Sequence, residues 1–160
     1  MTIENIKELM DGVDIATLLP DLEMLMGYIG PLARLAVLLG PVILLFLGLY
    51  FFLLSPKEAN YTLGYRCLWG MGSEQAWQFT QKLAGGVFMV LGMVLLIAMF
   101  RASSGFAELP VMDLMWEAIR CLAWQAGSIL AGGLGVHLIV FMRYDFKGNR
   151  RISWAELFRK

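Results

Sequence analysis

Three stretches of the chain carry no charge and almost no polar side chain: Leu35–Leu54, Leu83–Phe100 and Cys121–Met142. The second is bounded by Lys82 and Arg101, the third by Arg120 and Arg143. A helix rises 1.5 Å per residue, so about 20 apolar residues cross a hydrocarbon layer roughly 30 Å thick. The pattern predicts three transmembrane helices. Before the first run the pattern changes. Ile3, Ile6, Leu9, Met10 and Val13 recur at helical spacing, with Glu4, Glu8, Asp11 and Asp14 on the other side. This predicts an amphipathic helix at an interface or against the bundle, ended by Pro20 or by Gly27–Gly30. Between the second and third runs, Asp113, Glu117 and Arg120 form a narrow polar stripe in an otherwise apolar helix, with Pro110 suited to its first turn. Joined straight to the third run, that helix would exceed one untilted span. A short interfacial helix and then a bend are expected. Pro41, after Gly40, is placed to kink the first span.

The expected fold is therefore an all-α membrane protein. Residues 1–30 form an amphipathic N-terminal segment, 31–142 a three-span domain and 143–160 a basic tail. Composition agrees. Of 160 residues, 59% are hydrophobic and 16% charged, against about 25% charged in a soluble domain. Net charge is zero, but it is unevenly spread. Lys7 stands alone among six acids in residues 1–30, whereas residues 143–160 hold Arg143, Lys147, Arg150, Arg151, Arg159 and Lys160. Segment 55–82 adds Lys57, Arg66 and Lys82. Basic residues near span ends favour the cytoplasmic side. The tail and the 55–82 segment are expected inside and the N-terminus outside.

The stretch Asn60–Trp77, "NYTLGYRCLWGMGSEQAW", sits between the first two spans. Ser73 is a good N-cap, and Glu74 falls in the positively polarised first turn. Gly64, Gly70 and Gly72 permit tight turns. Trp77 falls where an interfacial aromatic belongs. Arg66 can bind a lipid phosphate, or a carboxylate such as Glu58 or Glu74, through its planar fork. Taken alone, these residues describe a well-anchored turn between spans.

Asn60, then Gly64-Tyr65-Arg66, Met71, Trp77 and Ala84-Gly85 resemble the motif of the SdpI family, small bacterial membrane proteins named for an immunity protein against a secreted peptide toxin. The resemblance covers about residues 41–100. It implies a small integral membrane protein of the bacterial cell membrane, acting in immunity by sequestering a toxic peptide or in signalling through a bound regulator. Asn60, Gly64, Tyr65, Arg66 and Trp77 would be its binding residues. There are departures. Cys67 replaces the usual Thr, Leu68 and Trp69 replace a basic pair, Gly70 replaces Ser, and Thr80 stands where Ala is common.

Other candidates lie in the third span. His137 is the single histidine. Ionisable residues inside a membrane are functional candidates, but no acid lies in any span to complete a proton relay, so a bond to Gln125 or Ser128 is expected. Gly127, Ala131 and Gly135 recur every four residues, a spacing that lets helices approach closely. They are expected to serve internal packing, or else a homo-oligomer. In the tail, Asp145, Asn149, Ser153 and Glu156 outline a calcium loop, but Lys147 and Arg150 occupy positions hostile to a cation. No metal or other cofactor is expected. Cys67 and Cys121 have no metal-site spacing and specify no disulfide. No nucleophile–base pair, carboxylate pair or phosphate loop is present, so the chain reads as a non-enzyme, and nothing suggests nucleic acid. The expected partners are the lipid bilayer and a peptide toxin or regulatory protein. A structural or assembly subunit of a membrane complex is the alternative, and a small transporter comes third.

Overall fold

The computed structural model describes residues 15–59 and 62–151. Three helices dominate: α1, Ile15–Leu53; α2, Glu74–Ala102; and α3, Val111–Arg143. A 3-10 turn, Phe106–Glu108, lies between α2 and α3. Each helix contains a stretch long and apolar enough to cross a membrane: Gly27–Leu53, Glu74–Glu108 (through the 3-10 turn) and Val111–Arg143. The protein is an all-α, multi-pass membrane protein. Its outer surface fits that medium, since Phe46, Val90, Leu130 and Leu134 are all at least 66% exposed. In lipid such side chains face a solvent as apolar as themselves.

Two expectations about helix ends are corrected. Neither Pro20 nor Gly27–Gly30 ends α1, which runs through them. Nor is there a separate interfacial helix before the third span, since α3 is continuous from Val111 to Arg143. The physical reason is the same in both places. Inside hydrocarbon no water replaces a lost backbone bond, so an unbroken helix is favoured over a break that would strand polar groups. The 33 residues of α3 extend about 50 Å at the helical rise, so α3 must tilt or project from the bilayer. The expected amphipathic helix over 2–19 lies mostly outside the described residues; Ile15–Leu19 belong to α1.

Small residues set the packing of α1 on α2. A Cβ on Gly48 would lie 2.6 Å from the Met89 nitrogen, and one on Gly85 would lie 2.7 Å from that of Phe52. The backbones therefore touch, and any side chain at either position would force them apart. Further along, Gly92 receives Leu45.

Pro41 explains how α3 joins them. Without an N–H, Pro41 cannot bond the carbonyl of Val37, one turn earlier. Gln125 of α3, 4% exposed, supplies the missing donor: its Nε2 lies 2.9 Å from that oxygen. Gly40 makes room, because a Cβ there would collide with Gln125 Oε1 at 2.3 Å. Around this bond, Val37, Leu44, Phe88, Leu95, Met99, Phe106, Leu114 and Cys121 form one core. A second core, Cys67, Ala76, Ala84, Val136, Val140 and Tyr144, lies at the end of the bundle that carries the 54–73 connection.

Candidate functional site

The 54–73 connection folds back onto the bundle. Gly64 makes this possible, with φ +112°, a conformation that disfavours any side chain. A Cβ there would also lie 2.6 Å from the Trp77 ring. Trp77 is completely buried and donates its indole N–H to the Pro56 carbonyl at 2.7 Å. It is therefore a core anchor of the connection rather than an interfacial aromatic. One turn along α2, the buried Gln81 amide holds Tyr65 by both sides of its backbone. Tyr65 N–H donates to Oε1, and Nε2 donates to the Tyr65 carbonyl, each at 2.8 Å. One side chain thus replaces two bonds that the turning backbone cannot make with itself.

Tyr65 then points its ring into the bundle. Phe88 and His137 meet it edge-on, both at 5.5 Å between centroids. Its hydroxyl lies 3.1 Å from the Gly133 carbonyl and 2.8 Å from His137 Nδ1, which is itself 3.0 Å from that carbonyl. A carbonyl only accepts. All three groups are satisfied when Nδ1 carries its proton toward the Tyr65 oxygen and Tyr65 donates to Gly133. Burial, followed by the nearby Cys67, pushes the Tyr65 hydroxyl above its ordinary pKa of 10.0. His137 is thus partnered by Tyr65 rather than by Gln125 or Ser128, and Gln125 is occupied with α1.

The connection also binds the start of the tail. Ser73 caps α2 by accepting from Ala76 N–H, and the same hydroxyl donates to the Gly148 carbonyl at 2.8 Å. Gly72 and Gly148 are in backbone contact. The turn at Gly148 is held by Asp145, whose Oδ1 accepts from the Lys147 and Asn149 N–H groups at 2.9 and 2.8 Å. The bonds from Asn149 first, and that from Lys147, lower the Asp145 pKa. Here Asp145 serves its own turn; Ser153 and Glu156 of the calcium outline lie outside the described residues. Among the described residues, no group of three or more His, Cys, Asp or Glu is placed to hold a metal.

A family model described as the SdpI/YfhL protein family matches residues 57–145. The match covers more than half of the chain. The chain belongs to this family. No curated protein and no solved structure matches it. The match begins after α1 and runs through α3 to Asp145, so it starts later than the 41–100 region of the resemblance and extends beyond its end. The structure gives a reason: Tyr65 of the motif is completed by Gly133 and His137 of α3, and Ser73 by the turn at Gly148.

The departures from the SdpI pattern also have physical accounts. Gly70 faces Thr80, and a Cβ at 70 would lie 2.4 Å from the Thr80 hydroxyl oxygen. Gly70 thus leaves the room that the Thr80 side chain fills. Trp69, in place of a basic residue, packs against Phe141 at 4.9 Å and Phe146 at 5.5 Å. Cys67 is buried.

Arg66 is the exception in the motif. It is exposed, and among the described residues it makes no hydrogen bond or ion pair. Neither expected carboxylate holds it; Glu74 instead accepts from Gln78 at 2.8 Å. Leu63 and Leu68, 49% and 71% exposed, flank it. Asn60 lies outside the described residues. The small face of α3 is likewise left over. Gly127 and Gly135 have open space where a Cβ would be, and Ala131 is exposed. Packing among the described residues does not use them.

The sequence reading missed Gln81 and Trp69 as anchors. Gln81 had a signal: it lies one turn after Trp77, on the same helix face. The donor for Val37 was also inferable, since a proline inside a span leaves a carbonyl that something must satisfy.

Proposed function

We propose that this SdpI-family membrane protein recognises a partner, either a secreted peptide toxin against which it gives immunity or a regulatory protein that it sequesters. The recognition surface is centred on Arg66. One observation supports this reading: Gly64, Tyr65 and Trp77 are consumed by the fold, whereas Arg66 stands exposed between Leu63 and Leu68 and is unpaired among the described residues. A guanidinium with apolar flanks suits a segment presenting a carboxylate beside apolar side chains. The surface differs from the family pattern in lacking the basic pair at 68 and 69, so it suits a partner less acidic than that pattern implies. The protein is placed in a bacterial cell membrane with its N-terminus outside and the 54–73 connection and tail in the cytoplasm. The contact of Gly72–Ser73 with Gly148, at one end of the bundle, is consistent with both segments lying on one side.

The test is expression in a toxin-sensitive bacterium challenged with peptide toxins, with pull-down of bound protein from the same membranes. Protection or capture that is lost in both Arg66→Ala and Arg66→Lys, with insertion unchanged, supports fork recognition. Full activity in Arg66→Ala overturns it. A second reading, an assembly subunit of a membrane complex, is favoured by the open Gly127–Ala131–Gly135 face. It predicts that Gly127→Leu disrupts a complex seen on mild extraction while Arg66→Ala does not.

A further inference from the structure

At the end of the bundle away from the motif, a cavity of about 310 Å³ opens between the start of the first span and the α2–α3 connection. Pro31, Leu35 and Leu38 give it an apolar wall, and Arg34, Ser103 and Ser104 give it polar groups. Two independent features of this wall are unfinished. The Ser103 hydroxyl is fully buried and has no hydrogen-bond partner among the described residues. A buried polar group without a partner is costly and rare in a folded protein. Arg34 is the only charge between Gly27 and Leu53. Its guanidinium lies 4.9 Å above the Phe100 ring, and it has no carboxylate partner among the described residues.

We propose that this cavity binds a phosphate group carried by a membrane lipid. Arg34 would supply the planar fork, and the covered Ser103 hydroxyl, once rotated toward the cavity, a donor, with Leu35 and Leu38 against the apolar part of the lipid. Phosphate matches the inventory, since it is anionic, accepts only, and can take a bidentate Arg together with a hydroxyl. The C-terminal end of α2 contributes about half a negative charge nearby, which offsets only part of the charge on Arg34. A lipid source follows from position. Leu35 is 62% exposed on the outside of a membrane helix, so the cavity opens toward acyl chains as well as toward the headgroup layer. Phe100, by stacking on the guanidinium, holds the fork in place without using its N–H donors.

The test uses the purified, delipidated full chain in detergent, titrated with phosphatidylglycerol, diacylglycerol or inorganic phosphate. Binding is read by native mass spectrometry and by thermal midpoint. Phosphatidylglycerol should bind and raise the midpoint, and diacylglycerol, which shares its apolar part, should bind at least about tenfold more weakly, as expected for a lost charge-assisted pair. Arg34→Gln should lose about tenfold in phosphatidylglycerol affinity, with Arg34→Lys between it and the wild type. Ser103→Ala gives a readout that a merely structural role would not. Removing an orphan hydroxyl should raise the midpoint of the lipid-free protein while weakening phosphatidylglycerol binding several-fold. Equal binding of phosphatidylglycerol and diacylglycerol, or unchanged affinity in both Arg34→Gln and Ser103→Ala, overturns the site. Inorganic phosphate binding as tightly as phosphatidylglycerol overturns the lipid source.

Discussion

The two ends of the bundle treat their polar groups in opposite ways. At the motif end, Gln81, Tyr65, His137, Trp77 and Ser73 bond one another or nearby carbonyls, leaving Arg66 exposed and, among the described residues, only the Trp69 indole N–H buried without a partner. At the far end, one buried hydroxyl and one guanidinium beside a cavity have no hydrogen-bond partner among the described residues. The contrast teaches where to look for function in a membrane bundle. Polar groups that satisfy each other hold the fold; those left over are available to something else. In lipid this division is sharp, because water does not reach the interior to satisfy the remainder.

The comparison is broken most severely at Trp77. Trp77→Ala empties a fully buried site and removes the donor to Pro56, and should cost about 3–5 kcal/mol, read as a loss of thermal midpoint in detergent. A cost under about 1 kcal/mol would mean that the connection is not anchored as described. Next is the Gln125–Val37 bond. Gln125→Leu should cost about 1–3 kcal/mol by stranding a buried carbonyl. Pro41→Ala restores a backbone N–H for that carbonyl, so the double variant should lose less than the sum of the single changes. Strict additivity would refute the pairing.

A smaller effect tests Tyr65 through pH. Its folded pKa is raised above 10.0, so the folded state holds this proton more tightly than the unfolded chain. The contribution is full below the ordinary value and is lost as pH rises through the folded one. Wild type should therefore lose stability relative to Tyr65→Phe above about pH 10, while below it Tyr65→Phe should be less stable by about 1 kcal/mol. Parallel pH curves would remove the hydroxyl from the account. Smallest of all is Arg66→Ala, which should change stability by no more than about 0.5 kcal/mol. A large loss would move Arg66 from the leftover groups to those that hold the fold.

Much of the fold was legible because membrane spans announce themselves by length and apolarity, and the Gly64-Tyr65-Arg66 motif marked the family. The division of labour within that motif was not. Trp77 reads as interfacial from its distance to the span, yet it is buried because the connection folds back over it, and a one-dimensional pattern does not show that return. His137 was given a partner on its own helix, Gln125 or Ser128, because its actual partner, Tyr65, lies 72 residues earlier in a connection. The small face of α3 and the small residues at Gly48 and Gly85 look alike in sequence; only packing shows that the second set is used and the first is open. The break expected near Gly27 rested on soluble-protein habits of glycine and proline; the bend expected before the third span rested on length, which a continuous helix meets by tilting or projecting.

The bond from Gln125 to Val37 links residues 88 positions apart, which bears on how the protein is made. A ribosome adds about 5–20 residues per second, so the carbonyl in the first span waits roughly 4–18 seconds before its donor exists. During that interval α1 is chemically incomplete wherever it is held. The arrival of α3 ends the wait, and assembly of this bundle is thereby timed by its last helix rather than its first.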